Sequence, residues 1–302
     1  MKTKNDEKLI AVIGATGQQG GGVVHALQAS GQFKVRALSR DPGRHRELAG
    51  EVVEADLNRP ETLKAAFEGA HGVFMVTNFQ EIGTGELKQA TAAVRAAKDA
   101  GVKHFIWSTL PDVEAISGGK FDVPHFTGKA KVEPIVKAAG FASHTFVIAP
   151  LYYQNFAGAF APQKQADGSL GWAVPLDPDA RCMHMGDITE LGNVVAGAFA
   201  HPDQAGNGEY LPLVGDFMSF NEIVGTLNRQ GHEFSVKPVP KEIFAAFFPG
   251  AAEIAEMFSY FQAHTYLGSD SSDRIALANK IAGRQPTKFS TWARVNFPVR
   301  VP

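Results

Sequence analysis

Ala11-Val12-Ile13-Gly14-Ala15-Thr16-Gly17-Gln18-Gln19-Gly20 decides the reading of this chain. An apolar run over residues 9–13 ends in glycines spaced Gly-x-x-Gly-x-x-Gly, and residues 18–30 follow with apolar positions at helical spacing. In a strand–turn–helix unit of this kind the first glycine permits a tight turn. The second lets backbone approach a pyrophosphate, and the third lets helix and strand pack closely. The helix N-terminus then offers free amides and the positive end of its dipole to phosphate oxygens. Glycine triplets mark turns of many kinds, so the weight falls on what surrounds this one.

The surroundings repeat the unit. Strand patterns over residues 33–38, 52–54, 72–76, 104–107 and 144–148 alternate with helical patterns over 60–68, 86–100 and 124–139, and Gly101 and Gly140 stand where helices stop. Such alternation gives a parallel sheet covered on both faces, with right-handed crossovers. The expected fold class is α/β: a doubly wound parallel-sheet Rossmann fold over residues 1–150. A smaller C-terminal substrate-side lobe is expected over 151–302, interleaved with the last strands of the main sheet. From Tyr152 to Arg181 the alternation stops. Beyond it, Asp187-Ile188-Thr189-Glu190 reads as a capping box opening a helix over 191–200. Residues 210–214 read as a strand, 219–230 and 270–282 as helices, and 287–296 as a terminal segment docked by Phe289 and Trp292.

The 302 residues, 44% apolar and 20% charged, suffice for a sizeable core. A formal net charge of −2 provides no global field for nucleic acid or an anionic membrane. One cysteine, Cys182, excludes an intramolecular disulfide and fits a reducing compartment. The charged opening leads into an apolar run too short for a signal peptide, and no run of about 18 apolar residues occurs. A cytoplasmic protein is expected, with no membrane attachment and no direct nucleic-acid binding. Cys182 and His184 are too sparse for a zinc site, so no metal is expected, and Met183 and Met185 read as core.

Ligands of doubly wound sheets lie beyond the carboxyl ends of the strands. The binding candidates are therefore the turn itself, Gly14, Ala15, Thr16, Gly17, Gln18, Gln19 and Gly20, and the residues after the next strands. Where an NAD site would carry an acid for the ribose 2′-hydroxyl, this chain has Ser39-Arg40-Asp41-Pro42, with Arg44 close behind. A planar, permanently charged guanidinium suits a 2′-phosphate, which points to NADP(H). The competing reading leaves Arg40 and Arg44 as solvated charges, with Asp41 as an acid one place later. Asp56 and Leu57 are placed to meet the adenine, and Thr77, Asn78 and Phe79 to line the ribose side.

The glycine turn, the exit Ser39-Arg40-Asp41-Pro42, Val76-Thr77-Asn78-Phe79, His125-Phe126-x-x-Lys129-x-x-Val132-Glu133 and Phe248-Pro249-Gly250-Ala251 together resemble the NmrA-like group of atypical short-chain dehydrogenases/reductases, particularly its NADP-sensing members. The resemblance spans nearly the whole chain. Ordinary short-chain dehydrogenases use Tyr-x-x-x-Lys on one helix face. Their lysine binds the nicotinamide ribose and lowers the phenol's pKa for proton exchange. The resemblance matches that lysine to Lys129 and puts His125 in the tyrosine's place.

It also matches Ser108 to the family's serine, and lays Tyr152, Tyr153, Gln154 and Asn155 against the nicotinamide. His125, Lys129 and Tyr153 are the catalytic candidates, with Tyr152 a further substitute acid. No one of them is assigned the catalytic role, and the competing reading leaves His125 as a packing or bonding residue at a helix start. The aromatic stretch from Phe244 to Phe261 reads as core or as a ligand or partner surface. The function implied is a redox-sensing regulator that responds to NADPH/NADP through a regulatory protein partner. The alternative is an NADPH-dependent oxidoreductase passing hydride directly to a quinone, dye or other conjugated, small hydrophobic acceptor. A homodimer fits either.

Overall fold

In the computed structural model, which describes residues 7–78, 85–269 and 271–297, the strands read from the sequence pair side by side. Phe79 lies outside the described residues. β1 (Lys8–Val12), β2 (Phe33–Ser39), β3 (Glu51–Glu54), β4 (Gly72–Met75), β5 (His104–Thr109) and β6 (Ser143–Ile148) are connected through α1 (Gln18–Ser30), α2 (Glu61–Phe67), α3 (Glu86–Asp99), α4 (Val113–Ser117), α5 (Pro124–Ala130) and α6 (Glu133–Ala138). Then come β7 (Leu151–Tyr152), α7 (Tyr153–Ala157), β8 (Gln163–Lys164), β9 (Leu170–Val174) and β10 (Met183–Gly186). After α8 (Leu191–Ala200) and α9 (Pro202–Ala205), β11 (Asn207–Pro212) returns to the main sheet beside β6. The sheet order is β11-β6-β5-β4-β1-β2-β3 among the described residues, and the pairs are parallel. The order reverses between β1 and β4, which opens a crevice beyond their carboxyl ends.

Both faces of this sheet are covered, which is why its strands read as nearly continuous apolar runs; β5 is buried at every position. Ile10, Val12 and Phe74 pack on one side with Val23, Leu27, Val195 and Phe199. The alternate residues Ala11, Val73 and Met75 pack on the other with Phe67, Ala93, Val94 and Val136. α1 crosses α8 at backbone contact: a Cβ on Gly192 would lie 2.1 Å from the Gly22 carbonyl oxygen.

The rest of the chain builds two small sheets, one ordered β12 (Asp216–Met218), β10, β7 and one ordered β13 (Phe234–Pro238), β9, β8. Around them lie α10 (Phe220–Arg229), α11 (Lys241–Phe244), α12 (Ala251–His264), α13 (Ser272–Ala282) and α14 (Phe289–Asn296). Phe156, Trp172, Met183, Met185, Phe258 and Phe289 form a separate core there, and Phe289 and Trp292 dock the terminal helix. No helix among the described residues is long and apolar enough to cross a membrane.

Two local expectations are corrected. The helical pattern over 124–139 is two helices, because Pro134 has no N–H for the Ala130 carbonyl and its ring crowds that oxygen. Asp187 accepts from the Thr189 N–H but caps a short 3-10 turn. Glu190 gives its carboxylate to the Thr287 N–H and hydroxyl instead of closing a box. The reciprocal capping box belongs to Ser219 and Glu222 at the start of α10.

Candidate functional site

Each glycine of the turn meets a different constraint. Gly14 has φ +77°, in the left-handed region, and accepts the Gly17 N–H at 2.9 Å. A Cβ on Gly20 would sit 2.1 Å from the Gly14 carbonyl oxygen, so only hydrogen fits between turn and helix. Gly17 precedes α1 in extended conformation and gives no side-chain cap, which leaves the first-turn amides to an acceptor from outside the helix. Gly14, Thr16, Gly17, Gln18, Gln19 and Gly20 line a cleft of about 1800 Å³ at the carboxyl ends of the strands. This bare cradle with its amide donors fits a pyrophosphate. Ala15, the remaining residue of the turn, is fully buried in the core and is not part of the wall.

Arg40, Asp56, Leu57, Thr77 and Asn78 also line the cleft. Asp56 is in part a loop anchor: its N–H donates to Thr62 Oγ1 at 3.0 Å and its Oδ1 accepts from the Asn58 N–H at 2.9 Å. Arg44 is not in the wall; its side chain is 82% exposed, with Nε 3.2 Å from Asp41 Oδ2. Asp41, the acid of the competing reading, is likewise absent from the wall and engaged with Arg44.

At the other end Lys129 is buried, and the carbonyl of its peptide accepts from Trp107 Nε1 at 3.0 Å. Its Nζ donates to the Thr77 carbonyl at 2.9 Å, to Thr77 Oγ1 at 3.0 Å and to Glu86 Oε1 at 2.7 Å. Three bonds use all three ammonium donors. Burial pulls the Lys129 pKa down, and the Glu86 carboxylate opposes that fall. The sequence reading missed Glu86. The signal was there: Glu86 shares a helical stripe with buried Ala90, Ala93 and Ala97 at spacings of four, seven and eleven.

His125 is the second residue of α5 and lines the cleft. Its Nδ1 lies 2.5 Å from Glu253 Oε1, and that oxygen also accepts the His125 backbone N–H at 3.1 Å. Glu253 sits in the first turn of α12, behind Phe248, Pro249 and Gly250, which close the far end of the cleft. The bond from His125 holds the Glu253 carboxyl below the usual carboxylate range. Between these groups and the turn, Ser108 Oγ donates to Gln19 Oε1 at 2.6 Å and Gln19 Nε2 donates to the Tyr152 phenol oxygen at 2.6 Å. Burial pushes the Tyr152 phenol up.

Tyr153 and Gln154 are not in the cleft wall, in contrast to Tyr152 and Asn155. They open α7, where successive side chains diverge by about 100°; Tyr153 faces the second core and Gln154 is half-buried beside Asp187. The Tyr153 hydroxyl is 3.0 Å from Asp216 Oδ2 and 3.2 Å from the Thr287 carbonyl, and burial followed by Asp216 pushes its pKa up. Gln154 Nε2 donates to Asp187 Oδ1 at 2.7 Å. Tyr153→Phe is therefore expected to cost about 1 kcal/mol of stability in urea unfolding and to leave dinucleotide affinity within about twofold. A tenfold loss of affinity at unchanged stability would return Tyr153 to the site.

Fold and cleft define the class: a doubly wound α/β chain with a glycine turn opening at the carboxyl ends of its strands. Residues 6–293 match the model of the NmrA-like family, and the chain belongs to that family. An NmrA-like family domain-containing protein of Dictyostelium discoideum is 33% identical over 236 residues, covering 74% of this chain and 77% of that one. The NmrA-like family domain-containing oxidoreductase hkm9 of Aspergillus hancockii is 31% identical over 97% of this chain and 98% of its own. Among solved structures, NmrA, a negative transcriptional regulator, is similar in its complexes with NAD and with NADP. Each is 25% identical with a TM-score of 0.80, over 97% of this chain and 96% of that one.

Proposed function

We propose that this chain binds a nicotinamide dinucleotide, NADP(H) by preference, and acts as an oxidoreductase on a small conjugated acceptor. The observation that carries this reading is one cleft holding both the uncapped glycine turn and the His125–Glu253 pair. Its volume of about 1800 Å³ exceeds the roughly 300–1000 Å³ of an ordinary small-molecule site, which leaves room for an acceptor beside a dinucleotide. The solved NmrA complexes with NAD and NADP and the relative named an oxidoreductase support it. When bound, the dinucleotide supplies or receives hydride. The chain's own contribution is to cradle the pyrophosphate on Gly14–Gly20, to present Arg40 to a 2′-phosphate, and to handle a proton at the far end.

The test is turnover. Purified protein with NADPH and a panel of quinones and enones should show sustained loss of nicotinamide absorbance. No turnover, with the dinucleotide nonetheless bound, sinks the enzyme reading. Arg40→Glu is expected to weaken NADP relative to NAD by at least about tenfold, the value of one charge-assisted hydrogen bond. Equal weakening of both, by titration calorimetry, would contradict the 2′-phosphate role.

A redox-sensing regulator is the second reading, favoured by one observation: Lys129 has its three donors engaged by Thr77 and Glu86. A ribose that draws Lys129 away from Glu86 would tie occupancy to the placement of α3. Such a sensor requires that ligand bind one arrangement better than the other. A protease-cleavage pattern that changes with NADPH but not with the acceptor is its expected signature.

A further inference from the structure

We propose that Tyr152 is the hydrogen-bond donor to the carbonyl oxygen of the acceptor, and that Gln19 is the positioning residue that frees its hydroxyl for this task, an inference that rests on the oxidoreductase reading above. Ser108 Oγ donates to Gln19 Oε1 at 2.6 Å, and Gln19 Nε2 donates to the Tyr152 phenol oxygen at 2.6 Å. A phenol has one hydrogen. With its oxygen accepting from Gln19, that hydrogen has no acceptor among the described residues, and Tyr152 lines the cleft. The direction of this chain follows from burial. Run the other way, with the Gln19 amide turned over, the spare hydrogen would fall to Ser108, which is 1% exposed and whose hydroxyl bonds Gln19 alone among the described residues. A buried donor left without an acceptor costs about 1–3 kcal/mol. Tyr152 is half-buried and open to the cleft, so there the hydrogen meets water or a ligand.

Gln19 ties the two ends of the site together. Its backbone N–H belongs to the first turn of α1, in the pyrophosphate cradle, and its side chain meets Tyr152, 133 positions away. Each bond in such a chain polarises the next. Burial pushes the Tyr152 phenol up, so the group keeps its hydrogen at neutral pH and acts by donating a bond, not by ionising. Leu110, Phe126, Phe160, Phe248, Ile254 and Met257 give the same cleft apolar walls. The acceptor that fits is an apolar body carrying a carbonyl oxygen, an enone or a quinone. As hydride arrives at carbon, the π pair of the conjugated system moves onto that oxygen, and a donor already in place stabilises the charge. The acceptor is reduced by two electrons, the dinucleotide is oxidised, and a proton from solvent completes the product. Tyr152 keeps its O–H bond throughout.

The test compares two acceptors at saturating NADPH. An apolar enone gathers charge on oxygen, whereas a cationic triphenylmethane dye loses its charge on accepting hydride and has no oxygen to stabilise. In Tyr152→Phe the ratio of enone rate to dye rate is expected to fall by at least about tenfold, a conservative share of what one such donor contributes. Gln19→Glu should lower the ratio as well, because a carboxylate only accepts and takes the Tyr152 hydrogen for itself. The ratio cancels any loss of folded protein or bound dinucleotide that the two reactions share. A second readout needs no turnover: with NADP+ bound, the ¹³C=O stretch of a labelled enone should lie at lower wavenumber in the parent protein than in Tyr152→Phe. An unchanged ratio or an unchanged stretch in Tyr152→Phe overturns the donor role. A ratio that falls in Tyr152→Phe but not in Gln19→Glu overturns the positioning role of Gln19. Turnover of neither acceptor by the parent overturns the oxidoreductase reading and this role with it. Turnover of both with the ratio intact in the variants overturns this role alone.

Discussion

Lys129→Met is expected to destabilise the protein by about 3–5 kcal/mol at neutral pH, as removal of one partner from a buried ion pair does. Glu86 is 2% exposed, and Lys129 Nζ is its cationic partner. Its second oxygen, Oε2, is already without a hydrogen-bond partner among the described residues. Without the ammonium, a buried carboxylate is left with the Thr77 hydroxyl. Lys129→Met/Glu86→Leu should recover most of the loss, since replacing both partners by apolar groups of similar size is close to neutral. Urea unfolding of the three proteins measures this, and a single-variant loss below about 1 kcal/mol would show the pair to be solvated. The double variant also separates two roles of the lysine. If Lys129 holds the ribose, stability returns and dinucleotide affinity does not.

Gly20→Ala is the second large effect. Its Cβ would lie 2.1 Å from the Gly14 carbonyl oxygen, 2.4 Å from the Gly14 carbonyl carbon and 2.8 Å from the Ala15 nitrogen. All three are backbone atoms, so no side chain can swing aside, and α1 must move off the turn. Overpacking of this kind costs about 1–3 kcal/mol and often more. The same displacement carries the first-turn amides away from the phosphate position, and dinucleotide affinity is expected to fall by at least about tenfold. Gly21→Ala is the control. Its Cβ would meet nothing nearer than the Ala15 carbonyl oxygen at 3.5 Å, and alanine favours a helix by about 1 kcal/mol over glycine. Equal losses from the two substitutions, by thermal unfolding and dinucleotide titration, would remove the close approach as the cause.

Much of the architecture was legible because it is local. Period-two and continuous apolar runs mark the strands, helical spacing marks the covering layers, and the glycine turn fixes where the crevice opens. The break in the 124–139 pattern was not among the expectations, although its cause, the missing N–H of Pro134, is local. What escaped lies between residues distant in the chain. Glu253 is 128 positions from the histidine it holds, and neither Gln19's span from Ser108 to Tyr152 nor the turn of Glu190 toward Thr287 leaves a local signature. Tyr152 and Tyr153 are neighbours with the same chemistry. Only the onset of α7 separates the one facing the cleft from the one in the core.

The backbone approach between Gly22 of α1 and Gly192 of α8 has a bearing on how the molecule is made. The helix that seats α1 is made about 170 residues after it, at roughly 5–20 residues per second. For those seconds the strand–turn–helix unit has no lid on its outer side. The nascent chain therefore gains a finished cradle only when α8 emerges and β11 closes the edge of the sheet. The glycine turn is made well before the helix that completes its seat.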